Sequence, residues 1–183
     1  MAENWAIRPE RPEDADQVEA LDNDGFGPGR FAKTAYRLRE GVKPESDLSF
    51  VAVENDALVG SVRFWPILVG GEKSLLLGPL AVRSSERGRG IGIALMQTGI
   101  EKARELGHAT VLLVGDESYY VRAGFARVPQ GRVQFPGPVD RARILGFSLE
   151  PNAPLNLQGD IRRARIDDPV CADGAPLGHT VRG

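Results

Sequence analysis

A chain of 183 residues is long enough for one domain with a sizeable core, and its 23 basic against 25 acidic side chains leave a formal net charge of -2, far from the basic footprint of a nonspecific nucleic-acid binder. A single cysteine, Cys171, excludes an internal disulfide and a thiol zinc cluster, and with only two histidines, His108 and His179, no histidine-rich metal site is expected. The start, Met-Ala-Glu-Asn-Trp, has neither a basic stretch nor an apolar run, and no apolar stretch approaches the roughly 20 residues of a membrane span, so a cytoplasmic protein without membrane contact is expected.

Trp5 to Arg8 reads as a first strand stopped by Pro9, and Pro12 with Glu13-Asp14 suits a helix start. Ala15, Val18 and Leu21 keep a helical period, broken by Gly25-Phe26-Gly27-Pro28-Gly29. Phe31 to Arg39 predicts a second helix. Phe26, Phe31 and Tyr36 are expected to pack these two helices. Leu48 to Val53 and Leu58 to Phe64 alternate like strands around a hairpin turn at Glu54-Asn55-Asp56. Gly70-Gly71 turns the chain into a strand from Ser74 to Val82, interrupted at Gly78-Pro79. Because Pro79 donates no ladder bond, a bulge there would spread neighbouring strands and free the backbone of Leu80, Ala81 and Val82.

Ile91 to Leu106 is the clearest helix, terminated by Gly107. Thr110 to Val114 is an apolar, buried-type strand, Ser118 to Ala123 a short helix, and Phe125 begins a brief strand. Val133 to Phe135 and Ile144 to Leu149 are the last expected strands. Residues 151–183, rich in Pro and Gly, predict a loop-rich extension to a single domain spanning 1–150. Strands followed by alternating helices and strands imply a mixed α/β (α+β) sheet with helices on its faces.

The turn before the long helix carries the chemistry. In Arg87-Gly88-Arg89-Gly90-Ile91-Gly92, glycines clear room for a ligand, the helix start presents unpaired N–H groups and partial positive charge, and two arginines add full charge. The turn therefore reads as an anion cradle. A dinucleotide fingerprint starting at Gly88 fails at Ile93, and the Gly-Lys-Ser/Thr of a nucleotide P-loop is absent.

Leu80-Ala81-Val82 followed by Arg87-x-x-Gly90-x-Gly92 resembles the acetyl-coenzyme A motif of the GNAT N-acetyltransferases, and Tyr119-Tyr120-Val121-Arg122-Ala123-Gly124-Phe125 resembles their second marker. The wording Leu-Gly-Pro-Leu-Ala-Val is similar to a bacterial branch of predicted N-acetyltransferases. The resemblance implies a mostly antiparallel central sheet, splayed at its middle, with helices on both faces. It also implies acetyl-coenzyme A as co-substrate and an amine, small-molecule or protein, as acceptor. The backbone of Leu80, Ala81 and Val82 should pair with pantetheine, with the Leu80 N–H facing the thioester carbonyl. Arg87, Gly88, Arg89, Gly90, Ile91 and Gly92 should hold the pyrophosphate, with Ser118 and Tyr120 near the cofactor and Tyr120 beside its sulfur. Many relatives carry Asn where this chain has Leu113. A homodimer is the candidate assembly.

Acetyl transfer needs a neutral amine, an oxyanion donor and an escort for the thiolate. The Leu80 N–H is the candidate donor. A thiol of pKa about 8.5 is not readily protonated by a tyrosine of about 10, so Tyr120 is read as a hydrogen-bond donor first and general acid second. The strand from Ser74 to Val82 contains no carboxylate, which leaves Asp116, Glu72, Asp24 and Glu54 as candidate bases, Asp116 first and Glu54 last, or a bound water. Cys171 is a poor nucleophile candidate, favouring direct transfer in a ternary complex. Tyr119 is expected in the core, Arg122 on the surface, and Arg30 or Arg37 are candidates to meet the acceptor. The missing obvious base leaves a second reading, an acyl-coenzyme A sensor without turnover.

Overall fold

The computed structural model describes residues 4–27 and 33–164. Arg30, Phe31, Cys171 and His179 lie outside them. Nine strands are present among the described residues: β1 (Trp5–Pro9), β2 (Ser49–Glu54), β3 (Ala57–Val69), β4 (Glu72–Val82), β5 (Thr110–Val114), β6 (Ala126–Arg127), β7 (Val133–Gln134), β8 (Ile144–Ser148) and β9 (Gly159–Arg163). The helices are α1 (Ala15–Phe26), α2 (Thr34–Arg37), α3 (Ile91–Glu105) and α4 (Glu117–Tyr120). The sheet runs β1-β2-β3-β4-β5-β8-β6, antiparallel throughout this path except at β4–β5.

Turn chemistry sets the first hairpins. Asn55 and Asp56 both adopt positive φ between β2 and β3, the geometry that matches strand twist. β3 is longer than the alternation predicts, because its far half finds a different partner. Ile67–Val69 pairs with β9, beyond the register in which β2 pairs with Ala57–Arg63. The loop-rich extension expected over 151–183 thus contains a strand that was not expected, at Gly159–Arg163. Ile161 and Leu157 are buried in one cluster with Leu76 and Leu112, and the few apolar residues of this segment all but hide that role from composition. The second helix is also shorter than expected, a single turn at Thr34–Arg37.

Side chains alternate across β4. Leu75 and Leu77 join Leu95, Met96 and Ile100 of α3 on one face. Ala81 meets Val18 and Leu21 of α1 on the other. Gly99 of α3 lets the Phe64 ring approach the helix backbone, since a Cβ there would lie 2.3 Å from the ring.

Two features of β4 open the sheet. Opposite it, β3 pairs Val62 with Leu80 and Phe64 with Leu77, so Gly78 and Pro79 together face Arg63 in a bulge. On its other side, the register with β5 covers only Leu75↔Val111 and Leu76↔Leu112. Past Leu76 the two parallel strands part, and the β5-facing edge of Leu80–Val82 has no ladder partner there.

Candidate active site

A cavity of about 900 Å³ fills the gap between the parted strands. Leu77 to Val82 form its floor, the start of α3 one end, and α2, Asp116, Tyr119, Tyr120 and the segment before β8 its remaining walls. Gly88 and Gly90 take positive φ, and a Cβ on either would stand in open space, so the turn is held by backbone freedom and not by crowding. The first bond of α3 runs from the Ala94 amide to the Gly90 carbonyl, leaving the amides of Ile91, Gly92 and Ile93 without a partner inside the helix. These residues line the cavity. The donor set fits a diphosphate, with Arg87 supplying full charge beside it.

Of the residues singled out from sequence, Leu80, Ala81, Val82, Arg87, Gly88, Gly90, Ile91, Gly92, Asp116 and Tyr120 all line this one cavity. Two do not. Arg89 turns its guanidinium to Glu54, at 2.8 and 2.9 Å, and to Glu86, so only its backbone belongs to the turn. Ser118 is exposed and does not line the cavity. Glu86, three residues before Arg89, is a local signal for part of this, whereas Glu54 reaches Arg89 only because the β2–β3 hairpin folds over the turn.

The tyrosine pair is wedged tightly. A Cβ on Gly92 would lie 2.2 Å from the Tyr119 hydroxyl, and one on Gly115 would lie 2.2 Å from the Tyr120 ring. The two rings meet edge to face, 5.1 Å between centroids. Burial pushes the Tyr120 phenol up to about 12, with Tyr119 adding to the effect. Its surroundings therefore do the opposite of acidifying it, and Tyr120 remains a protonated donor at neutral pH. Tyr119, expected in the core, packs on it and also lines the cavity. Arg122, expected on the surface, stands over the Tyr119 ring at 5.9 Å, at the cavity wall. Leu113 is buried in the core.

Among the four candidate bases, only Asp116 lines the cavity. Its side chain is 77% exposed, with Arg143 Nε at 3.7 Å. Glu72 and Asp24 are exposed and lie off the cavity. Hydrogen bonds from Arg89 hold the Glu54 carboxyl below its usual range. The early helices contribute Phe26, Lys33, Tyr36 and Arg39 to the wall, whereas Arg37 is exposed away from it. Phe26, expected to be packed, is 40% exposed. Sequence reasoning missed Arg39, Arg143 and Asp140. Nothing in their local sequence marks them, because the folded chain brings them to the cavity from distant elements.

Among the described residues no helix is long and apolar enough to cross a membrane, and no group of three or more His, Cys, Asp or Glu side chains could hold a metal ion. A sheet parted beside a bulge, with a helix start aimed into the gap, defines a coenzyme A-type acyltransferase architecture. The sequence model of the Acetyltransferase (GNAT) family matches residues 15–125, and the chain belongs to that family. It is 36% identical over 122 residues to the uncharacterized N-acetyltransferase YhbS of Escherichia coli (strain K12), covering 65% of this chain and 72% of that protein. To YjhQ of the same organism, another uncharacterized N-acetyltransferase, it is 29% identical over 162 residues, 85% of this chain and 90% of the relative. The crystal structure of Escherichia coli YhbS in complex with CoA superimposes with a TM-score of 0.74 at 29% identity, covering 90% of this chain and 92% of that one. A GNAT family acetyltransferase from Brucella melitensis in complex with acetyl-CoA gives 0.65 at 27% identity, covering 87% and 96%.

Proposed function

We propose that this protein transfers an acetyl group from acetyl-coenzyme A to an amine, by direct attack within a ternary complex. The observation that carries the reading is the unpaired edge of Leu80–Val82 leading into the open amides at the start of α3. The edge pairs with the pantetheine arm as a strand would. The backbone of Arg87 to Gly92, with the Arg87 charge, grips the pyrophosphate. That YhbS was solved with CoA and the Brucella relative with acetyl-CoA supports the choice of co-substrate.

In the chemical step the amine nitrogen attacks the thioester carbonyl carbon. A C–N bond forms, and the carbonyl oxygen gathers charge that the Leu80 N–H receives, an interaction worth roughly 3 kcal/mol. The C–S bond then breaks, the electron pair leaves with sulfur, and the Tyr120 hydroxyl donates a hydrogen bond to the thiolate. The proton shed by nitrogen goes to Asp116 or a water beside it, and solvent finally protonates the thiol. The acceptor is a small-molecule or protein amine.

A thermal-shift titration tests the reading. Coenzyme A at a hundredfold excess over its dissociation constant adds about 2.7 kcal/mol of stability. Gly90→Glu, which puts bulk and negative charge into the turn, abolishes that shift, and unchanged affinity removes the turn from the site. Thiol release across an amine panel then separates an enzyme from a sensor. Binding without release for any amine supports the sensor and defeats acetyl transfer.

A further inference from the structure

Arg39 follows α2 and enters the cavity beside the bulge in β4. Its Nη2 lies 2.9 Å from the point where a Cβ on Gly78 would stand, and the Leu80 amide nitrogen lies 3.9 Å from the same point. The guanidinium and the expected oxyanion donor thus converge on one corner of the site. The side chain is held there. Its guanidinium carbon stands 5.9 Å from the Trp65 ring centroid, and Trp65 Nε1 donates to the Gly78 carbonyl at 2.6 Å.

Among the described residues Asp22 lends this guanidinium only its charge. Its Nε is buried with no hydrogen-bond partner among the described residues. Burial pulls its pKa down to about 10, an effect only partly offset by the charge of Asp22 and by Tyr36 and Tyr120, and worsened by Arg63. Arg63 is already matched, its Nε donating to Glu10 at 2.9 Å. Arg39 therefore stays charged at neutral pH, in a place where charge is costly unless paired.

The rest of the cavity points the same way. Arg87 and Arg122 stand with the phosphate turn and the tyrosines. Of the three lining carboxylates, Glu86 binds Arg89, Asp140 accepts from the Ala142 amide at 3.0 Å, and Asp116, exposed at the mouth, has Arg143 Nε at 3.7 Å. A purely cationic acceptor would meet a guanidinium at the reacting corner and be repelled. An amine that also carries a carboxylate would be drawn in, because the planar fork of Arg matches a carboxylate with two parallel hydrogen bonds. The same positive charge disfavours the ammonium form beside it and so favours the neutral, reactive amine.

We infer that Arg39 is the anchor for a carboxylate on the acceptor, so the acceptors are amines bearing a carboxylate, as amino acids do. This rests on the acetyl-transfer reading, in which Leu80 marks the position of the acetyl group.

Matched products test it without requiring turnover. The full-length protein loaded with coenzyme A is titrated calorimetrically with N-acetylglycine, N-acetyl-L-alanine, N-acetyl-L-methionine and N-acetyl-L-phenylalanine, and with the primary amide of each. N-acetyl-phosphoethanolamine serves as the phosphate arm. At least one carboxylate should bind tenfold or more tightly than its amide and more tightly than the phosphate. Arg39→Met should erase that preference, and Arg39→Lys should keep part of it. The inference is overturned by equal binding of acid and amide, by binding of no acid, by preference for the phosphate, or by a preference that survives Arg39→Met. Coenzyme A binding is read separately in the same samples. Its presence without carboxylate preference defeats the role of Arg39 alone, and its absence defeats acetyl transfer and the anchor together.

Discussion

Tyr120 shows how crowding sets chemistry at a single residue. Gly115 and Phe125 close around its ring, with Phe125 at 6.1 Å between centroids. The burial that holds the ring also raises the phenol to about 12. That lies roughly 3.5 pH units above an ordinary thiol, so complete proton transfer to the departing sulfur is uphill by about 5 kcal/mol, and a hydrogen bond is what remains. Tyr120→Phe should lower kcat by about tenfold to a hundredfold with little change in coenzyme A affinity, checked by steady-state kinetics beside calorimetry. A variant with full activity would make the ring purely structural. The sign of the pH dependence follows. A group with raised pKa keeps its proton until pH approaches that value, so kcat/KM should climb as the amine loses its proton. No descending limb from Tyr120 should appear below about pH 11, and a fall near pH 9 would contradict the assignment.

At the scale of elements, α3 owes its position to one absent side chain. Propensity alone says that Gly99→Ala should strengthen a helix by about 1 kcal/mol. The Phe64 ring reverses the sign. It is fully buried, it would lie 2.3 Å from the new Cβ, and it has nowhere to move. Gly99→Ala should therefore destabilise the fold by about 2 kcal/mol, read as a lowered urea midpoint with an unchanged slope. Because α3 carries the amides that face the cavity, coenzyme A affinity should weaken in the same variant. The period of Ile91, Leu95 and Ala103, the terminator Gly107 and the Asn55-Asp56 turn were readable in the chain because each rule spans only a few residues. α2 was not readable at its true length. One helical turn has little period to detect, and its position depends on contacts such as the hydrogen bond from the Thr34 hydroxyl to the Pro138 carbonyl at 2.6 Å.

At the scale of the whole molecule, β9 joins the sheet from beyond residue 150. Ile161 is 1% and Leu157 3% exposed, and β9 covers the edge of β3 at Ile67–Val69. A chain ending at residue 150 should lose about 4 kcal/mol from those two side chains alone. It should also expose an apolar strand edge that invites aggregation. Urea unfolding and size-exclusion chromatography of the shortened chain check both, and undiminished stability would return this segment to the status of an appendage.

By itself the sequence determined the glycine-rich turn, the helix behind it, the bulge at Gly78-Pro79 and the tyrosine pair, because local backbone rules and short motifs act between neighbours. Only the tertiary structure decided that Glu54 takes the Arg89 charge, that Asp116 alone of the candidate bases reaches the cavity, and that Arg39 arrives beside Gly78. Those outcomes depend on which distant strands and helices pack together. The energy that decides them is burial and pairing summed over the whole core, which no short window of residues contains.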